Sequence, residues 1–454
     1  MARERLVVIG GDAAGMSAAS QARRRRGAEE LEIVAVERGR HTSYSACGIP
    51  YWIGGLVSDV DSMVARTPTV FAADHAIEVR IETEAVGLDL DRAEVTVRAG
   101  AAESRLGYDH LMLGLGAVPT RPDLPGVGAP GVYGVQTLDD GEAVRAAVDA
   151  GAGTAVVVGG GYVGLELAEA LVRRGLGVTV VDAAEEIMST VDADLGALVR
   201  AAMAGMGIDV RVGEALVGIE TGADGRARRV VTAAGGYDVD LVVLGLGVRP
   251  NTALAAGAGI DTGHRGAIRT DQRMRTVSHG NVWAAGDCVE SFHRVLRQPV
   301  HMPLGTHANK QGRVAGINLG GGYATFPGVV GTAVTKVCQL EVARTGLSTR
   351  EADRAGFRYV AATVESTTRA GYYPGAGPIT VKLLAEERSG RVLGAQIIGR
   401  EGAAKRIDVL ATALWNEMTA EELTGLDLSY APPFAPVWDP VLIAARKAAD
   451  LLGR

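Results

Sequence analysis

The chain has 454 residues, of which 62 are glycine, 47% are apolar and 22% are charged, with a net charge of -7. That length exceeds what one hydrophobic core fills and predicts about three domains of a compact α/β protein, while the acidic balance leaves no electrostatic footprint for nucleic acid. Three cysteines, an odd number without paired spacing, argue against a disulfide framework and for a reducing, cytoplasmic setting.

The start, Met1 to Arg5, is polar, and the apolar run Leu6 to Ile9 is too short for a signal peptide or a membrane span. This run reads as a strand leading through Gly10-Gly11-Asp12-Ala13-Ala14-Gly15 into an amphipathic helix expected over Met16 to Arg26. In such a turn glycine lets the backbone approach a pyrophosphate, whose charge rests on the amides and dipole of the helix N-terminus. The next strand, Leu31 to Val36, ends in Glu37, 22 residues past Gly15 (37 minus 15). That is close to the spacing at which a carboxylate accepts both hydroxyls of an adenosine ribose; a solvated strand end is the plainer reading.

Cys47 follows within Ser43-Tyr44-Ser45-Ala46-Cys47-Gly48-Ile49-Pro50-Tyr51, with Cys288 and Cys338 far away in sequence. A lone thiol just downstream of a nucleotide loop suggests a flavin enzyme whose disulfide partner comes from the substrate. The alternative is a buried cysteine acting as a small hydrophobe. Pro50 predicts a helix starting beside Cys47, whose N-terminal dipole is expected to lower the thiol pKa.

The run Leu113-Gly114-Leu115-Gly116-Ala117-Val118-Pro119 closes this first unit, and the pattern then repeats. Ala155 to Gly164 aligns with Leu6 to Gly15 at a constant offset of 149 (159 minus 10), placing Gly159, Gly160 and Gly164 on Gly10, Gly11 and Gly15. A helix is expected over Leu165 to Arg174, and the strand Val178 to Val181 ends in Asp182, 18 residues past Gly164 (182 minus 164). A 2′-phosphate at Asp182, with Glu185 and Glu186 nearby, would meet like charge, so this second site should prefer NADH over NADPH. Leu244-Gly245-Leu246-Gly247-Val248-Arg249-Pro250 echoes the first crossing. A short strand within Thr276 to Asp287 then ends in Gly286-Asp287, where the aspartate can accept a ribityl hydroxyl and the glycine permits close approach.

From about 323 the chain changes character. Strand-like runs at Thr332 to Val342, Arg358 to Glu365, Ile379 to Ala385 and Arg391 to Ile398 precede a helix from about Gly402 to Glu417, and Thr419 with Glu422 forms a capping box. This predicts an α+β domain.

Flavin loop, redox cysteine, inserted nicotinamide unit, Gly-Asp return and α+β tail together resemble the pyridine nucleotide-disulfide oxidoreductase family over essentially the whole chain. The resemblance implies two Rossmann-like nucleotide domains plus a C-terminal α+β dimerisation domain: a flavin domain at 1–117 and 248–322, an inserted nicotinamide domain at 118–247, and an interface domain at 323–454. It implies FAD held by Gly10 to Gly15, Glu37, Arg38, Ser45, Gly116, Gly286, Asp287, Pro303 and Leu304. NADH would be held by Gly159, Gly161, Tyr162, Val163, Gly164, Glu166, Asp182 and Gly247. No metal is implied.

Within the family, the single-cysteine branch contains coenzyme A disulfide reductases, water-forming NADH oxidases and NADH peroxidases. Oxidases and peroxidases carry a histidine where this chain has Ala13. Leu428-Ser429-Tyr430-Ala431-Pro432-Pro433-Phe434 resembles the coenzyme A group's C-terminal motif, whose tyrosine crosses the homodimer to the redox cysteine, and Tyr372 and Tyr373 resemble a second tyrosine loop of that site. Gln21 and Arg24 match residues that serve coenzyme A, with Ser43, Tyr44 and His75 implied as further contacts. His75 stands where the family has a lysine, Ala46 where the reductases have an asparagine, and Asp12 replaces the second loop glycine. Leu115 replaces the usual threonine of the first crossing. The resemblance thus implies a cytoplasmic, homodimeric reductase of coenzyme A disulfide, with shared active sites. Oxidase or peroxidase activity, persulfide or polysulfide reduction, and a flavin-loaded redox sensor without turnover are the competing readings.

Overall fold

The computed structural model describes residues 3–453; Met1, Ala2 and Arg454 lie outside the described residues. Strand Glu4–Ile9 sits in the middle of a five-stranded parallel sheet, in the order Val282–Ala284, His110–Leu113, Glu4–Ile9, Leu31–Val36, Glu78–Arg80. Leu6 to Ile9 are all buried, as expected of a parallel strand covered on both faces. Its edge strand Val282–Ala284 comes from beyond the second unit, so the chain leaves this sheet and returns to it.

The second unit repeats the arrangement: Asp209–Val212, Gly177–Asp182, Thr154–Val158, Leu241–Leu244 and Val132–Tyr133 form a second parallel sheet. The two crossings meet as antiparallel partners, Ala117 opposite Pro250 and Pro119 opposite Val248. The third region is an antiparallel sheet in the order Ala333–Val337, Leu340–Gly346, Val392–Gly399, Pro378–Glu386, Tyr359–Thr367. Helices Ile407–Trp415 and Pro440–Leu451 contribute to its core.

Both helices of the nucleotide turns begin three residues before the sequence expectation, at Ala13 and Tyr162. In the first helix the opening residues Ala13, Ala14 and Gly15 are small, so hydrophobic periodicity becomes visible only after the helix has begun; in the second, Tyr162 and Val163 lie between Gly161 and Gly164 and read as part of the glycine turn. The expected helix from 402 instead starts with a 3-10 turn, Ala404–Arg406, and is regular only over Ile407–Trp415. The Thr419 capping box is present in full. Helix Pro440–Leu451 and two antiparallel three-stranded units within 83–107 and 216–238 were not expected. Among the described residues no helix is long and apolar enough to cross a membrane.

Candidate functional site

The two glycine turns are superimposable in their sterics. A Cβ on Gly15 would lie 1.9 Å from the carbonyl oxygen of Gly10, and one on Gly164 would lie 2.0 Å from that of Gly159. Only glycine lets helix and strand approach this closely, which is the cradle a pyrophosphate needs. In the first unit Glu37 accepts from the N–H groups of Gly11 (2.8 Å) and Gly39 (2.7 Å). In the second, Asp182 accepts from Gly160 (2.6 Å) and Ala184 (2.8 Å). Each carboxylate is thus fixed by backbone donors at the strand end, with acceptor capacity left for a ribose.

Asp12 begins the first helix and accepts from the N–H of Tyr44 at 3.2 Å. Burial pushes its carboxyl up to about 6, with the charges of Glu37 and Asp287 adding to the rise. Asp287 is also pushed up to about 6 by burial, while its carbonyl contacts His301 Nε2 at 2.8 Å. A Cβ on Gly286 would meet that of Ala14 at 2.9 Å. The Gly-Asp return therefore lies against the first turn, and a half-buried, partly desolvated carboxyl beside it fits the hydroxyl-rich linker of a flavin dinucleotide. Leu304 precedes helix Gly305–Leu319, with Pro303 before it. Gly116 and Gly247 sit in the crossings at φ of 67° and 76°, and Arg38 is exposed.

Cys47 lies in the 3-10 turn Ala46–Gly48, exposed, immediately before helix Ile49–Ile53 with Pro50 in its first turn. Ser45 N–H donates to Met63 O at 2.9 Å, and Ser43, at φ 52°, donates its N–H to Gly11 O at 2.9 Å. Contrary to the expected lowering, the Cys47 thiol is held above its ordinary value. Protein packed behind it desolvates the thiolate, and the carboxylates of Glu166, Asp287 and Asp12 oppose its charge. Those carboxylates come from both nucleotide units, so the thiol sits at their junction. The backbone hydrogen bond that favours the thiolate does not offset them.

Sequence reasoning missed what holds that helix. Ile49, Trp52 and Ile53 belong to the core of the second unit, and two arginines of that unit finish the helix. Arg145 Nη1 donates to Trp52 O at 2.8 Å with its guanidinium 4.7 Å from the Trp52 ring centre, and Arg174 Nη1 donates to Ile53 O at 3.0 Å. In the sequence nothing marks either as a partner of the Cys47 segment: Arg145 lies within helix Leu138–Asp149 and Arg174 caps helix Tyr162–Arg173.

Tyr162 opens the second helix with its hydroxyl buried, and Val163 beside it is 46% exposed. Glu166, one turn on, accepts from Thr335 Oγ1 at 2.5 Å; burial raises its carboxyl pKa. Glu186, expected to repel a 2′-phosphate, is instead buried and paired with Arg200 at 2.9 Å, whose positive charge compensates its own.

Of the basic helix end, Arg23 donates to the carbonyls of His75 and Ala76, both at 3.0 Å, and Arg26 pairs with Glu4. Arg24 is exposed, with Gln21 half-buried on the same helix end and half-buried His75 beside Arg23. The Tyr430 hydroxyl is close enough to Tyr372 for the two to interact, which raises its pKa after desolvation, and the Ala370 N–H donates to Pro432 O at 3.1 Å, so the two tyrosine loops form one exposed surface that includes Tyr373. Cys288 is buried, its thiol pushed up to about 12, and Cys338 is buried too. Among the described residues no cluster of three or more His, Cys, Asp or Glu side chains is arranged to hold a metal ion.

Residues 4–312 match the family described as pyridine nucleotide-disulphide oxidoreductase, and residues 332–440 match its dimerisation domain. The chain belongs to this family. It is an oxidoreductase of the pyridine nucleotide-disulphide class, which uses FAD and NAD(P)H. Among the relatives of this pyridine nucleotide-disulphide oxidoreductase is the NAD(P)H coenzyme A polysulfide/persulfide reductase of Pyrococcus horikoshii, 36% identical over 98% of each chain. Another is the coenzyme A disulfide reductase of Staphylococcus haemolyticus, 29% identical over 98% of this chain and 100% of that one. Among solved structures, the NAD-dependent persulfide reductase from A. fulgidus superposes with a TM-score of 0.95 at 39% identity, covering 98% of this chain and 83% of that chain.

Proposed function

We propose that this protein uses NADH to reduce a sulfur–sulfur bond carried by coenzyme A, with Cys47 as the single redox thiol. The observation that carries the reading is the position of an exposed thiol in the turn before helix Ile49–Ile53, where it feels the charges of Glu166 of the second unit and of Asp287 and Asp12 of the first. The chemistry supplied by bound FAD is acceptance of hydride from NADH and two-electron delivery to sulfur.

The residues divide the work as follows. Gly10 to Gly15, Glu37, Gly286 and Asp287 hold the flavin dinucleotide; Gly159, Gly164 and Asp182 hold NADH. Cys47 as thiolate attacks one sulfur of coenzyme A disulfide, breaking the S–S bond, forming a Cys47–coenzyme A disulfide and expelling one coenzyme A thiolate. Tyr430 of the partner subunit protonates that leaving group. Two electrons and a proton then regenerate the Cys47 thiolate and release the second coenzyme A as a thiol. Arg24, Gln21 and His75 present donors to the ligand's phosphates. The scheme places the protein in the cytoplasm as a homodimer with shared sites, built from a flavin domain at 1–117 and 248–322, an inserted nicotinamide domain at 118–247 and an interface domain at 323–454.

Reduction of a coenzyme A persulfide is the second reading, favoured by the higher identity to relatives named persulfide reductases. Steady-state NADH oxidation with coenzyme A disulfide, coenzyme A persulfide, polysulfide, hydrogen peroxide and oxygen tests both. The expected result is highest kcat/KM with one of the two coenzyme A substrates; a preference for peroxide or oxygen overturns the proposal.

A further inference from the structure

The segment that follows Asp182 is fastened at its far end to a different region of the molecule. Arg350 Nη2 donates to Ser189 O at 2.6 Å and Arg344 Nη1 to Thr190 O at 2.7 Å. The N–H of Asp192 donates to Gln396 Oε1 at 2.6 Å, and Thr349 donates to Asp192 Oδ1 through both its N–H (3.0 Å) and its hydroxyl (2.9 Å). Lys382 Nζ completes the cluster, 2.9 Å from Asp192 Oδ2 and 2.8 Å from Asp194 Oδ1. All five residues that grip the segment belong to the third sheet or to the helix beside it, within 340–399.

Burial makes this arrangement informative. Lys382 and Asp192 are only 8% and 7% exposed, and removing an ion from water costs several kcal/mol that its partner only partly offsets. An apolar contact would hold two regions together at less cost. What a buried, directional cluster adds is a fixed position, and the position it fixes is that of the loop over the second glycine turn. At the loop's near end, Met188 N–H donates to Gly160 O at 2.7 Å, and a Cβ on Gly160 would meet Ile187 Cγ2 at 2.5 Å. Gly160 in turn donates to the ribose carboxylate Asp182 at 2.6 Å. An unbroken path of short contacts thus runs from Lys382 through Asp192 and the loop to the nucleotide turn.

We propose that Lys382 is a positioning residue for the nicotinamide nucleotide: acting through Asp192, it holds loop 187–192 against the Gly160 turn and keeps Asp182 aimed at the adenosine ribose. This rests on the reading that the second unit takes NADH. The third sheet, by this account, helps to set coenzyme affinity without touching the coenzyme.

The test is equilibrium titration of the FAD-loaded dimer with ADP-ribose, which carries the adenosine ribose and pyrophosphate but no reducible ring. Lys382→Met is expected to weaken ADP-ribose binding about tenfold and to raise KM for NADH in parallel, leaving kcat and the KM for the disulfide within about twofold. Lys382→Arg, which keeps the cation, is expected to recover most of the loss. Unchanged ADP-ribose affinity in Lys382→Met, with FAD content and dimer intact, overturns the inference. Should that variant fail to fold, Thr349→Val removes one donor to Asp192 while keeping the side-chain shape; it is expected to weaken ADP-ribose binding about threefold, and no change overturns the inference equally. Wild-type protein that binds no ADP-ribose overturns the NADH reading itself, an outcome distinct from a variant that binds as wild type does.

Discussion

Arg174 Nη1 lies 3.0 Å from the carbonyl oxygen of Ile53, so a side chain of the second nucleotide unit terminates the helix that begins beside Cys47. Arg145 does the same for Trp52. Hydrogen bonds to charged groups contribute about 1.5–3 kcal/mol, and here they secure the segment that must present the thiol. The double variant Arg145→Met/Arg174→Met is expected to keep its flavin spectrum and NADH-driven reduction of an artificial acceptor. Disulfide turnover should fall about tenfold, in line with the loss that a small misplacement of a reacting group brings. Equal loss in both assays contradicts a role specific to the Cys47 helix.

Replacing the thiol itself separates the two half-reactions. Cys47→Ser should retain FAD and NADH binding but lose disulfide reduction entirely. Cys288→Ser and Cys338→Ser should be mild, because both side chains are buried away from a redox partner. The measurement is kcat with coenzyme A disulfide alongside flavin reduction by NADH in the same preparations.

The environment of Cys47 fixes the sign of a pH effect. An ordinary cysteine titrates at about 8.5, and desolvation by the protein packed behind the thiol, together with Glu166, holds Cys47 above its usual range. The rate of Cys47 alkylation by iodoacetamide should keep rising with pH beyond the point where a free cysteine levels off. Glu166→Gln removes an opposing charge and should move the profile to lower pH; a shift to higher pH contradicts the assignment.

Under the proposed function, coenzyme choice rests on Asp182 with exposed Glu185 nearby, because Glu186 is engaged by Arg200. kcat/KM should favour NADH over NADPH by about tenfold, equivalent to about 1.4 kcal/mol. Asp182→Ser should narrow that ratio by raising KM for NADH and lowering it for NADPH.

Tyr430→Phe keeps the ring and removes the hydroxyl. Flavin reduction by NADH should be almost unchanged while disulfide turnover falls about a hundredfold, as for loss of a general acid. Mixed dimers of Cys47→Ser and Tyr430→Phe subunits should recover part of the activity, since one of their two sites carries both native groups. Verified subunit exchange without recovery excludes action across the dimer.

The parts of this molecule that obey local rules are legible in its sequence. The glycine turns, the strand-end acids Glu37 and Asp182, the paired crossings and the Thr419 capping box each require particular residue types at short spacing, and spacing survives in one dimension. The direction of the Cys47 pKa shift was not legible, because Glu166, Asp287 and Asp12 converge on it from three separate stretches of chain. The same holds for Arg145 and Arg174, and for the Lys382 cluster: a lysine alternating with apolar residues in a strand gives no sign that its solvent-facing neighbours have been replaced by two aspartates. Helix Pro440–Leu451 lay outside the expected elements although Asp439 caps it and Pro440 opens it, a local start signal of the legible kind.

The antiparallel pairing of Ala117–Pro119 with Val248–Pro250 has a consequence for how the polypeptide matures on the ribosome. The second sheet contains all its strands once residue 244 has emerged, whereas the first lacks its edge strand until residue 284, a further 40 residues of synthesis (284 minus 244). The inserted unit can therefore close first, and domains fold as units in the order in which they are completed. The surrounding unit must hold an open sheet edge at His110–Leu113 until Val282–Ala284 arrives, and the zipped crossings keep the two ends of that interrupted chain side by side in the meantime.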